Sequence, residues 1–321
     1  LKETHHQDSQ VSITHGSVDV CLIRFNHHGQ PGPAVRRATS PVWVRFSLRA
    51  SLPTMGGMST AEFLGMVDYG DGQWAVPITD RAVGGGRGSL FGGIGLAIGI
   101  AAMEIETGQP AVWATAQYIA TMYNPSEMRL NVTSPAVGRT VTQCRMYGTF
   151  EGDDVLTVLG TTGQRPEQLR GVWEQYPDAA APSVSVDPER EFDYPSLHDH
   201  VEVKMARGMF GFSGVGEPTG DHRSLVWVRM PEVRVDAAAL AIIADYSPSV
   251  IGNAAGRVTN LSSLDNTIRF ADPAPDDTDW VLCDNRVEFM GNGFAHSSCL
   301  MWSERGQLLA TASQSMTIVP V

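Results

Sequence analysis

Two apolar segments of helix length stand out along the chain, each set among runs in which apolar and polar residues alternate. The first begins at Ser89 and reads SLFGGIGLAIGIAAMEIETG. Its apolar and small residues fall on all sides of a 3.6-residue period and it stops at Gly108 and Pro110, so it predicts a helix buried on most of its surface. Strand-like runs follow at Val112 to Met122, Arg129 to Val132, Arg139 to Phe150 and Val155 to Thr161, divided by Asn-Pro, Ser-Pro and Glu-Gly-Asp-Asp turns. The unit predicted is one helix followed by an antiparallel meander.

The same order returns after a polar, Pro-rich stretch. Strands are expected at Val201 to Met209 and Leu225 to Met230; Asp236 then caps AAALAIIADY, and Pro248 bends or ends that helix. Further strands are expected at Asn266 to Phe270, Trp280 to Phe289, Ala295 to Trp302 and Leu308 to Ile318. Val155 to Gly160 resembles Gln307 to Ala312, 152 residues later, so an internal duplication is expected, each half a sheet wrapped around one apolar helix. The divisions expected are a leader at 1–57, a first domain at 58–177, a linker at 178–199 and a second domain at 200–321. Residues 1–54 hold five of the nine histidines, six basic residues against three acidic ones, and no sustained apolar period. Metal ligation by His5-His6 and His27-His28, or a targeting arm at Arg36-Arg37, are open readings; a disordered or non-native leader ahead of a start at Met55 or Met58 is the simplest.

Composition narrows the function. Hydrophobic residues make up 42% of the 321 and the net charge is −12, which gives enough apolar sequence for a large core and argues against a general nucleic-acid surface. Lys2 and Lys204 are the only lysines, which excludes a Walker A phosphate loop. Cys21, Cys144, Cys283 and Cys299 are too far apart for a Cys-x-x-Cys zinc or redox site and read as inert thiols in a reducing, cytoplasmic compartment. The longest uncharged apolar run, Leu90 to Met103, is 14 residues, shorter than the ~20 needed to span a bilayer.

Several motifs fail on inspection. Gly84-Gly85-Gly86-Arg87-Gly88 leads into a helix but fits no G-x-G-x-x-G register, and reads as a flexible entry loop. Gly211-Phe212-Ser213-Gly214-Val215 has valine where a nucleophile elbow needs glycine. His198-Asp199-His200 has no third ligand at useful spacing and reads as a solvated loop ahead of a strand.

Three polar residues remain in apolar surroundings. Asp245 follows eight consecutive apolar residues, Ala237 to Ala244, where a carboxylate must be paired, exposed at the helix end, or chemically used. Ser263 precedes Leu264-Asp265-Asn266-Thr267-Ile268, and period-two alternation places Ser263 and Asp265 on one strand face, a capping serine being the alternative. Gln314 lies on a small-residue strand that can pack against a helix and offer its amide across the interface. Shifting back by 152 residues takes Gln314 to Thr162 and Asp245 to Gly93, so only the second half carries this chemistry.

From about Thr60 to the carboxyl end the sequence resembles the type II acyl-CoA thioesterases. The likeness is carried by Leu90-Phe91-Gly92-Gly93, Asp221 to Arg229, Ala244-Asp245-Tyr246, Ser262-Ser263-Leu264-Asp265 and Leu308 to Gln314. It implies an α+β double hotdog, two tandem antiparallel sheets each wrapped around a central helix, with a tendency to self-associate. It also implies hydrolysis of acyl-CoA or another acyl thioester without cofactor or metal, Asp245, Ser263 and Gln314 holding the attacking water. The chain departs from the family where Asn266 replaces a frequent histidine, where Ala271-Asp272-Pro273 replaces a His-Arg-Pro segment, and where Ser315-Met316 follows the glutamine. A non-catalytic acyl-CoA or acyl-carrier binding protein and a hotdog hydratase or dehydratase are the rival functions.

Overall fold

The computed structural model describes residues 57–320 apart from 86–87, 167–168, 189–193, 209–219, 256–258 and 273–277, together with three short strands nearer the amino end. The chain divides into two compact units, Leu1–Gly56 and Gly57–Val321. In the first, β1 (Val11–Thr14), β2 (Ser17–Val20) and β3 (Arg45–Phe46) pair antiparallel, strands that the apolar pattern did not announce. The rest of the expected leader, including its histidine and arginine pairs, lies outside the described residues, as does the serine of the failed nucleophile elbow.

The second unit opens with α1 (Thr60–Phe63), β4 (Val67–Gly70), β5 (Gln73–Ile78) and a hairpin of β6 (Val83–Gly85) with β7 (Ser89–Leu90). Gly84 and Gly85, expected in a flexible loop, therefore sit on a strand. The predicted helix is α2 (Gly92–Thr107), ended by Gly108 in the left-handed conformation that glycine tolerates best (φ 63°). From Gly93 to Met103 its residues are buried on every side, as the lack of a polar face there requires, and only its last turn reaches the surface. The meander follows as β8 (Ala111–Tyr118), β9 (Ser126–Val137), β10 (Val141–Phe150) and β11 (Asp153–Gly163). The expected Ser-Pro turn is absent: β9 runs through Ser134-Pro135. That end of β9 pairs only with β10, because β5 stops opposite Asn131, so the missing proline N–H falls on an open edge.

The second half repeats the plan with β12 (Glu202–Arg207), β13 (Arg223–Arg229), α3 (Ala237–Ala244), α4 (Ser249–Ala255), β14 (Thr259–Ser263), β15 (Asp265–Phe270), β16 (Val281–Gly291), β17 (Phe294–Ser303) and β18 (Leu308–Pro320). Asp236 caps α3 by accepting from the Ala239 N–H, and Pro248 separates α3 from α4, as the sequence predicts. Strand order is β12-β13-β16-β17-β18-β15 in this half and β8-β11-β10-β9-β5-β4 in the first, each the mirror of the other about the β15–β8 seam. Each half is a sheet wrapped around its helix, and the α+β double-hotdog expectation holds.

The seam is symmetric. Thr115 and Thr267 stand directly opposite each other with their hydroxyls 2.6 Å apart, and they are 152 residues apart in sequence. Ladder register then fixes the other counterparts. Thr267 faces Ser313 on β18, whereas Thr115 faces Leu159 on β11, so Gln314 corresponds to Gly160 and not to Thr162. A two-residue slip between the last strands causes the difference. In the same way Ser297, opposite Gln314, corresponds to Cys144, opposite Gly160. The interior is thus apolar in the first half where the second carries hydrogen-bonding groups.

Candidate functional site

The polar trio lies on α3, β14 and β18 around the point where the helices of the two halves cross. Asp245 ends α3, just ahead of the break at Pro248, and is 5% exposed. Its Oδ2 accepts from the Gly93 N–H at the start of α2 (2.7 Å) and its Oδ1 from the Asn266 amide (3.3 Å). Burial raises the Asp245 pKa to about 7, and interactions with the Gly93 N–H and the Gln314 and Asn266 amides offset part of that rise by favouring the charged form.

Ser263 and Gln314 meet across the β14–β18 ladder. The Ser263 hydroxyl donates to Gln314 Oε1 (3.3 Å), and Gln314 Nε2 donates to the Ser247 hydroxyl (3.1 Å), itself 3.5 Å from the Ser297 hydroxyl. Gln314 is therefore held between Ser263 and Ser247. The helix crossing leaves no room for side chains on the first-half counterparts. A Cβ on Gly93 would lie 2.7 Å from Asp245 Cβ and 2.9 Å from Ala241 O, and one on Gly160 would lie 2.9 Å from Met103 Sδ.

The strand breaks at Leu264, and the residues on either side bond different partners: Ser263 bonds Gln314, whereas Asp265 Oδ1 accepts from the Ser315 N–H. Asn266 takes the place beside Asp245. The Tyr118 hydroxyl donates to Gly92 O (2.7 Å), and burial, with the nearby Asp245 and Asp265 charges, pushes its pKa well above the usual tyrosine value. Tyr118 and Ser247 escaped the sequence reading, and Asn266 entered it only as the residue that replaces a frequent family histidine.

A cavity of about 380 Å³ opens onto this group, lined by Asp245 and Ser263 and by apolar side chains that include Leu90, Phe91, Ile119, Met122 and Leu261. Gln314 lies behind the wall. A buried carboxylate beside a hydroxyl in a mostly apolar hollow suits the attack of a water on a bound acyl group more than the holding of a cation. No cluster of histidine, cysteine and carboxylate side chains able to bind a metal occurs among the described residues.

His198 and His200 are not in a solvated loop. They belong to a short 3-10 turn, Leu197–His200, where His198 is buried against Tyr246 and Gly84, and His200 Nδ1 lies 2.6 Å from Glu232 Oε1. Both rings meet partners too remote in sequence for a local pattern to reveal.

Residues 175–318 match the family model of the acyl-CoA thioesterase C-terminal domain. Among solved structures, a candidate thioesterase from Novosphingobium aromaticivorans is 29% identical over 78% of this chain and 97% of its own, with a TM-score of 0.69. A protein of unknown function with a hot dog fold from Alicyclobacillus acidocaldarius is 20% identical over 81% of this chain and 98% of its own (TM-score 0.72). The acyl-CoA thioesterase II TesB2 from Mycobacterium marinum is 17% identical over 81% of this chain and 98% of its own (TM-score 0.62). No curated protein matches the chain in sequence. No helix among the described residues is long and apolar enough to cross a membrane.

Proposed function

With a C-terminal half that matches the acyl-CoA thioesterase C-terminal domain, we propose that this chain hydrolyses acyl-CoA to free acid and thiol by direct attack of water. The observation that carries the reading is the Asp245 carboxylate, its pKa raised to about 7, in the wall of an apolar cavity beside the Ser263 hydroxyl.

A thioester carbonyl is electrophilic enough for water to attack if one group removes a proton and others fix its position. Asp245 is the general base in this scheme. Desolvation makes it a stronger base than an ordinary aspartate while leaving about half of it ionised near neutral pH. Ser263 hydrogen-bonds the water from the cavity wall, and Gln314, behind that wall, orients the water through its bond to Ser263. The apolar wall receives the acyl chain. The proton taken by Asp245 passes to the departing thiolate, which restores the carboxylate.

A hydratase needs a histidine with a nitrogen free to move protons at the substrate. His198, the histidine beside the Asp245 turn, has both ring nitrogens engaged by Tyr246 and Gly84, which favours hydrolysis over that alternative. We further propose residues 58–177 and 200–321 as the two hotdog units, with 178–199 joining them. Release of free thiol from a panel of acyl-CoA chain lengths tests the function: hydrolysis of at least one chain length is expected, and binding without thiol release would instead favour an acyl-CoA binding protein.

A further inference from the structure

The turn that carries Asp245 is held from behind by a residue of the stretch between the halves. His198 sits in the Leu197–His200 turn; its Nδ1 is 2.9 Å from the Tyr246 hydroxyl and its Nε2 is 3.1 Å from Gly84 O. A carbonyl only accepts, so Nε2 carries the proton of the neutral ring and Nδ1 accepts from the Tyr246 O–H. Tyr246 follows Asp245 directly and is 1% exposed. Its ring also packs on Phe91 with centroids 5.5 Å apart, and Phe91 lies edge-on to His198 at 5.9 Å.

Gly84, Phe91 and Asp245 all line the cavity, whereas His198 and Tyr246 do not. The histidine thus ties together three separate segments of the cavity wall from the protein side. It fits closely: a Cβ on Gly84 would lie 3.2 Å from His198 Nε2 and 2.9 Å from Phe91 Cδ2. We propose that His198 and Tyr246 form a positioning brace that sets the direction of the Asp245 carboxylate across the cavity, a role that rests on Asp245 being the base. The physical ground is tolerance. Asp245 lies between two short helices at a proline break, and the Tyr246 hydroxyl fixes the far side of that turn. A base displaced by ~1 Å loses up to ~10²-fold in rate while substrate binding by the rest of the cavity is unaffected.

The test uses the full chain and five variants: Tyr246→Phe, His198→Leu, the double variant of these two, His198→Gln and Asp245→Asn. Tyr246→Phe removes one oxygen and keeps all three rings. It is expected to lower kcat about tenfold with KM within about twofold of wild type, as is His198→Leu. His198→Gln, which can still accept from Tyr246, should recover part of that loss, and the Tyr246→Phe/His198→Leu double variant should be no slower than the worse single one. A folded Tyr246→Phe with wild-type kcat overturns the brace, and if that variant does not fold, equal kcat for His198→Leu and His198→Gln overturns it. Asp245→Asn separates the two levels: if it is inactive while Tyr246→Phe is fully active, the brace alone fails, and if Asp245→Asn keeps wild-type turnover, the base assignment fails and the brace with it.

Discussion

The Gly93 N–H donates to Asp245 Oδ2 at 2.7 Å, a bond that joins the first turn of α2 in one half to the end of α3 in the other across 152 positions of sequence. Because a Cβ on Gly93 would meet Ala241 O and Ile242 Cα, each at 2.9 Å, Gly93→Ala must push the two helices apart. It should cost on the order of 1–3 kcal/mol and lower the melting temperature by several degrees. Gly92→Ala differs, since its Cβ would meet Asp245 Oδ2 at 3.0 Å and the Tyr118 hydroxyl at 3.3 Å, both at side-chain ends. Thermal melts and turnover measured together should show Gly92→Ala folded like wild type but slower by roughly tenfold, because only the carboxylate has to move.

The raised Asp245 pKa gives the activity a direction in pH. The base works when deprotonated, so kcat/KM should rise with pH and level off above a midpoint near 7. Asn266 donates to this carboxylate and favours its charged form. Asn266→Ala should therefore move the midpoint upward. A pH profile of the variant that coincides with the wild-type one would remove Asn266 from the site.

Stability should carry the opposite trend. Asp245 holds its proton to about pH 7 in the folded chain but only to about 4 when unfolded. The native state therefore binds more protons than the unfolded one between these values, and stability falls as pH rises through that window, by on the order of 4 kcal/mol in all. Asp245→Asn lacks this loss. Its melting temperature should gain on that of the wild type between pH 5 and pH 8, which scanning calorimetry across that range checks.

Much of this arrangement was legible from the sequence, and the rest was not, for physical reasons. The two helices were announced by apolar residues around their whole circumference, and the meanders by alternation, because each buries one face against a helix. Asp245 showed itself as a charge in an apolar run. The expected counterpart of Gln314 was two residues off, because strand register is set by cross-strand pairing and slips without any change in local pattern. His198 was misread as solvated because Tyr246 and Gly84, 48 and 114 residues away, decide its burial.

The unequal halves bear on stoichiometry. Gly160 stands where Gln314 has its amide, with Met103 Sδ filling the space. A non-hydrolysable acyl-thioester analogue should therefore titrate to one site per chain in calorimetry. Two equivalent sites would mean that the first half retains a competent pocket.

The central claim is that the Asp245 carboxylate removes the proton of the attacking water, and the most direct measurement is thioester hydrolysis by Asp245→Asn with a thermal melt on the same preparation. Asparagine keeps the size of the side chain and loses its basicity, so turnover should fall by ~10²–10⁴-fold, the usual worth of a general base, while the analogue still binds. Ser263→Ala and Gln314→Ala should each cost less, and their losses should not add to that of Asp245→Asn, because all three act on one water. A folded Asp245→Asn variant that hydrolyses acyl-CoA at the wild-type rate would contradict the account.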